Sequence, residues 1–181
     1  MKNLTFLPSV ARLVMCIFFY TAIAGASYGQ KKKQPPVKAK PDPNAAYGNA
    51  SYKGIQPGQF LKTWLIAGPL LLRNDTISTP DQPSQQAFFN EDVISQVVPV
   101  AGKPMPPVVY KGKSLEWKPY TSATDILDLD AIYTKADYAA AYALAEIKTD
   151  SAVTAYLGLG SDDGVKVWLN GKLIHTNWIG R

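Results

Sequence analysis

Cysteine is nearly absent from this 181-residue chain: Cys16 is the only one. A disulfide within one chain is therefore excluded, and so is a thiolate zinc site. Histidine is equally scarce, with His175 alone, so an imidazole pair for a transition metal is missing too. No Gly-x-Ser-x-Gly elbow and no Gly-rich phosphate loop occurs. No apolar run is long enough for a comfortable membrane helix, since residues 13–24 span only 12 positions. A basic stripe on a periodic element is also lacking. From Phe60 onward the chain has 11 bases against 13 acids, a net charge of −2. The overall +5 comes from the N-terminal third, where Lys31, Lys32, Lys33, Lys38 and Lys40 cluster. Nucleic-acid binding is not implied by such a distribution.

What is present begins with an export pattern. Lys2 and Arg12 precede the apolar run, and Ala24-Gly25-Ala26 supplies small residues at its end. Residues 1–26 read as a secretory signal peptide cleaved near Ala26, which predicts a secreted, periplasmic or cell-surface product without a membrane span after cleavage. Cys16 lies inside the run with little chain before it, so a lipid anchor is not expected. Residues 27–57 are rich in Pro, Lys, Gly, Asn and Ala and read as an extended linker. Residues 58–181 are long enough for one modest domain.

Within that domain the informative stretch is residues 157–176. Val165, Val167 and Leu169 alternate with Lys166 and Trp168, the pattern of a strand. Asn170-Gly171 suits a two-residue type I′ turn, whose central residues both need positive φ. A regular hairpin would set Leu169 opposite Lys172, Trp168 opposite Leu173 and Val167 opposite Ile174. One face then carries Val165, Val167 and Ile174 as core. The other carries Lys166, Trp168, Leu173 and His175, a mixed face suited to ligand or to a domain contact.

Upstream, residues 60–67 read as an apolar strand stopped at Gly68-Pro69. Residues 73–86 read as a polar loop, and residues 87–98 have helical spacing at Phe88, Val93 and Val97. Residues 108–110 and 114–118 read as short strands around Lys111-Gly112-Lys113. Residues 136–147 divide evenly between helix, favoured by alanine propensity, and strand, favoured by the alternation of Tyr138, Tyr142 and Leu144 with alanines. Residues 153–159 alternate again after an Asp150-Ser151 turn and suggest a pairing with that segment.

The pieces Trp64 with Gly68-Pro69, Tyr142-Ala143, Gly160 to Gly164 (GSDDG) and Val165 to Gly171 (VKVWLNG) together resemble the galactose-binding-like jelly-roll modules of bacterial secreted glycoside hydrolases and related exported enzymes. The Asp-Asp-Gly piece is also similar to protective-antigen-type β-sandwich lectin domains. The resemblance implies an all-β, antiparallel jelly-roll β-sandwich with a short helix in a long loop, and it turns residues 136–147 into a strand. Such modules continue past the hairpin with further strands. A sandwich that is incomplete at the C-terminus is therefore expected, with any catalytic domain downstream.

The function expected on this basis is a non-catalytic carbohydrate-binding or accessory module at the front of a larger exported enzyme. The alternative is a structural module packed against a hydrolase domain or the cell surface. Trp168 is the candidate sugar platform, because an indole offers a flat apolar face and one N–H donor. Trp117, Trp178, Tyr120 and Tyr133 are weaker candidates of the same kind, and Trp64 reads as core. Lys166 and His175 flank Trp168 on the predicted face. Asp162 and Asp163 are candidate calcium ligands as hard carboxylates, set against ordinary turn chemistry before Gly164. Asp128 and Asp130 read as sharing a strand face that Glu116 could approach, the carboxylate set weighed for paired-acid catalysis. Glycan or polysaccharide is the expected partner.

Overall fold

The computed structural model describes residues 2–6, 10–19, 50–53, 56, 58–72, 80–91, 93–94, 105–134, 136–162 and 164–179. Among these residues, eleven strands and two short helices occur in the order β1 (Lys2–Phe6), β2 (Val10–Phe19), β3 (Ser51–Lys53), β4 (Thr63–Leu71), α1 (Gln82–Asn90), β5 (Val108–Tyr110), β6 (Lys113–Leu115), β7 (Lys118–Thr121), α2 (Leu129–Ile132), β8 (Ala139–Lys148), β9 (Val153–Leu157), β10 (Val165–Leu169) and β11 (Lys172–Asn177).

Seven of the strands form one sheet in the order β11-β10-β2-β8-β4-β7, with β3 pairing the far end of β8. All neighbours along this path are antiparallel, and only β3 runs parallel to β8. Two small antiparallel sheets, β1-β9 and β5-β6, complete an all-β sandwich. This order does not by itself establish a jelly roll.

The alanine-rich strand β8 is the centre. Its residues are buried from Ala139 to Ile147, on both faces. Strand periodicity sends Ala140, Tyr142 and Leu144 to one side and Ala139, Ala141, Ala143 and Ala145 to the other. The first side packs with Leu65, Ala67, Trp168, Phe88 and Phe89 under α1 and the β5-β6 hairpin. The second packs with Trp64, Ile66, Val165 and Val167 against Leu129 of α2 and Leu157 of β9. Alanine therefore serves here as a small side chain between close layers. Its helix propensity is overridden because a helix could not bury both faces against these neighbours.

Several boundaries differ from expectation. Strand β4 does not stop at Gly68-Pro69. It runs through a cis Gly68–Pro69 bond to Leu71, with a register shift against β8 between Ala67 and Leu70. Gly68 lies where an added Cβ would sit 3.0 Å from the Cβ of Ala141 and 3.3 Å from the oxygen of Ala140. The glycine is needed for that approach of strand to strand. The helix begins earlier than the apolar spacing suggests, inside the expected polar loop. Asp81 caps it, accepting the Ser84 N–H at 2.8 Å, and proline occupies the first turn. Of the helical positions expected, Phe88 is buried and Val93 half-buried beyond the helix end, while Val97 lies outside the described residues. Strand β9 does not pair β8. It crosses to β1, with Leu157 opposite Lys2 and Val153 opposite Phe6.

Residues 2–6 and 10–19, read as part of a signal peptide, form β1 and β2 in this structure of the full chain. Strand β2 lies between β8 and β10, pairing all ten of its residues with the first and five with the second. Met15, opposite Ala143 and Val167, is buried. The linker lies almost wholly outside the described residues.

Candidate functional site

The Asn170-Gly171 turn forms as predicted, with φ of 49° and 80° at its two central residues. Leu169 faces Lys172 and Trp168 faces Leu173. Beyond that pair the regular hairpin fails. Val167 faces His175 rather than Ile174, Lys166 faces Thr176, and the register shifts between Val167 and Trp168. Ile174 is the extra residue of a bulge. It packs against the cluster of Val165 and Val167, as the expected core face required, and against Ile147 with Leu169. His175, half-buried and opposite Val167, is not the neighbour of Lys166 that a regular hairpin implies.

The mixed face is a second core face. Trp168 is 6% exposed and Lys166 7%. Trp168 packs on Tyr142, ring centroids 6.4 Å apart and tilted by 58°, so its ring offers no open face for a sugar. The amphipathic pattern failed to reveal this because α1, distant in sequence, covers these positions. The Lys166 ammonium lies 4.9 Å from the ring centroid of Phe89, a cation–π contact inside the core. Phe89 in turn meets Trp178, centroids 5.0 Å apart. Leu173 is the one member of the predicted face with a large exposed apolar side chain.

The acidic bend sits at the end of this aromatic cluster. Asp162 is exposed, and Asp163 lies outside the described residues. Gly164 is buried, and a Cβ there would stand 3.0 Å from Cε2 of Phe89 and 3.2 Å from Trp178. The glycine in the Asp-Asp-Gly piece is therefore required by packing against α1 and the C-terminal aromatic residue. Phe89 is the residue that sequence reasoning missed here, and Trp178, a weaker platform candidate, packs on it instead. The signal for Phe89 was the Asp81–Pro83 helix start, which directs a Phe-Phe pair at the sheet. Among the described residues, no three acids, histidines or cysteines gather as metal ligands.

The other candidates have structural partners. Trp64 donates its indole N–H to the Leu61 carbonyl at 3.0 Å, and Trp117 donates to that of Pro106 at 2.9 Å. Burial pushes the Tyr133 phenol up to about 12. Burial, assisted by the Asp128 carboxylate, also raises that of Tyr120. Asp128 does not share a strand face with Asp130. It caps α2, accepting the Ala131 N–H at 2.9 Å, and Asp130 lies in that helix's first turn. Glu116 is exposed in the link from β6 to β7. The expected strand through these acids is replaced by a capped helical turn, because Asp accepts local N–H groups readily. No helix among the described residues is long and apolar enough to cross a membrane.

No protein-family model matches this chain, and neither a curated protein nor a solved structure does.

Proposed function

We propose that this chain is an exported, non-catalytic accessory β-sandwich of the galactose-binding-like kind, which acts by contact with another polypeptide and not by stacking sugar on Trp168. The observation that carries the reading is the use made of the indoles. Trp168 and Trp64 are buried, Trp117 and Trp178 are half-buried in the core's margin, and two of the four donate their N–H to backbone carbonyls. A stacking platform needs an exposed ring face. Meanwhile Phe60, Val109, Ile126, Tyr156 and Leu173 leave large apolar side chains in water.

Affinity electrophoresis of the full chain through a panel of polysaccharides tests this reading. Unaltered mobility is expected. Retention that is lost in Trp168→Phe, a change that preserves most of the buried volume, would overturn it. The exposure of Asp162 favours a second reading, in which the acidic bend binds a glycan through Ca²⁺. Calorimetric titration with Ca²⁺ separates the two: heat that disappears in Asp162→Asn supports the glycan reading, and no heat at millimolar ion removes it.

A further inference from the structure

Strands β1 and β2 hold two positions in this fold, and one cut would empty both. Strand β2 fills the seat between β8 and β10, pairing ten residues of the first and five of the second. Strand β1 pairs all five residues of β9, which has no other strand partner among the described residues. Cleavage near Ala26 would remove β1 and β2 together. It would leave β9 without its partner, and β8 and β10 each without a neighbour along one edge.

We propose that in the processed chain β9 takes the seat of β2, so that the large sheet reads β11-β10-β9-β8-β4-β7. The leader, while attached, keeps the chain in a different pairing. Strand β2 occupies the seat, and β1 holds the strand that belongs in it. The inference rests on the export reading, in which residues 1–26 are removed.

Direction, length and register all close. Strand β2 is antiparallel to β8 and to β10, so those two run parallel with one antiparallel seat between them. Strand β9 lies between β8 and β10 in the chain. A reversal at each of its ends gives it the required direction. With residues 149–152 as the first reversal, Val153 stands opposite Lys148, the position that Val10 holds in the full chain. Counted along the strand, Gly160 then stands opposite Ala141. Ala141 and Val165 both face Ile17 in the full chain. Gly160 in that seat therefore faces Val165 as well, and Ser161 to Gly164 remain as the second reversal. Both loops have four residues, a common length for hairpins. Residues 153–160 thus replace residues 10–17 position for position.

The sides of the strand agree with this register. Ala155, Leu157 and Leu159 are half-buried in the full chain, while Thr154, Tyr156 and Gly158 are exposed. In the new seat the first set shares the side of Tyr142, Leu144 and Trp168, the core beneath α1. Strand edges left without a neighbour recruit an extended segment. Strand β9 is tied to both edges by short loops, so its closure costs less entropy than capture of a separate chain. It is also the pairing with residues 136–147 that the sequence pattern predicts.

The test uses the full chain with a specific protease site inserted between Gln30 and Lys31. The cut chain is separated from its leader in urea and refolded, and the uncut chain is taken through the same steps. Amide hydrogen exchange and backbone nuclear Overhauser contacts are read in both. In the uncut chain β9 is expected to show cross-strand contacts to β1 alone, and residues 158–160, which lie outside the strands, to exchange fast. In the leader-free chain β9 is expected to contact both β8 and β10, with exchange at residues 158–160 slowed at least about tenfold. Tyr156→Pro should lower the urea midpoint of the leader-free chain more than that of the uncut chain, because only there does β9 lie inside the large sheet.

Three results would overturn the proposal. They are unchanged exchange at residues 158–160, contacts from β9 to only one of β8 and β10, or a leader-free chain that does not refold. Should Tyr156→Pro fail to fold, the exchange assay on the unsubstituted chain still decides. Export is read separately, from the N-terminal residue of the secreted chain. A secreted chain starting near Ser27 together with an unmoved β9 would leave the export reading standing and remove the strand exchange. A secreted chain that keeps residues 1–26 would remove both.

Discussion

Replacing Trp168 by alanine separates a core tryptophan from a sugar platform most sharply. The ring is 6% exposed and packs on Tyr142 in the cluster beneath α1. An indole of this burial removes on the order of 200 Å² from water, or about 5 kcal/mol at 25 cal/mol per Å². Alanine retains a fraction of that, and the area figure is an upper bound. Truncations of large aromatic side chains in cores cost roughly 3–5 kcal/mol, so about 4 kcal/mol is expected. With a urea slope of about 2 kcal/mol per molar, the midpoint should fall by about 2 M. The assay is equilibrium urea unfolding of the full chain followed by far-ultraviolet circular dichroism. Tyr156→Ala is the matched control. Tyr156 is 68% exposed on β9, and its loss should shift stability by no more than about 0.5 kcal/mol. A Trp168→Ala shift as small as that of Tyr156→Ala would refute the packing argument and return the ring to the surface.

Gly68→Ala should destabilise by about 1–3 kcal/mol in the same assay, because its Cβ would press on Ala141 within the sheet. Gly171→Ala meets open space but a φ of 80°, so about 1 kcal/mol is expected from backbone conformation alone. Gly164→Ala should disturb the near-ultraviolet circular dichroism of Phe89 and Trp178 while leaving far-ultraviolet signal intact, since the nearest atoms its Cβ would meet belong to those two rings. Tyr133 gives a pH dependence. Its phenol ionises at about 12 when folded against an ordinary value of 10. The unfolded chain therefore releases the proton first, and stability falls as pH rises from about 10 to 12. Partial exposure of the ring reduces the expected loss to on the order of 1 kcal/mol. Urea midpoints at pH 9 and pH 11 should show the fall, and Tyr133→Phe should lessen it.

Readability along the chain followed the range of the interactions. The Asn170-Gly171 reversal and the Lys111-Gly112 turn between β5 and β6 were legible because both depend on backbone conformations that neighbouring residues dictate. The cap at Asp81 was equally local, yet its polar surroundings hid it within an apparent loop. Trp168 and Lys166 were misplaced for the opposite reason. Their covering layer, α1 and Phe89, comes from about eighty residues earlier in the chain, and alternation tells which side chains share a face but not what lies over it. The packing of Ile174 likewise involves Ile147 of another strand. Residues 13–17 satisfy two readings together, since an apolar run that suits a leader also suits a strand paired along both edges.

Taken alone, the order of residues determined the turn positions, the strand at the hairpin and the charge separation between tail and domain, while the all-β class was an implication of the family resemblance. The turns and the strand follow from side-chain period and from the φ that Asn and Gly tolerate. Only the tertiary structure decided that β8 is buried on both sides, that β9 leaves it for β1, that the mixed face of β10 lies inside, and that β2 joins the two parts of the large sheet. Those outcomes depend on which distant surfaces meet. Area removed from water is a property of pairs of elements, and no single stretch of sequence contains it.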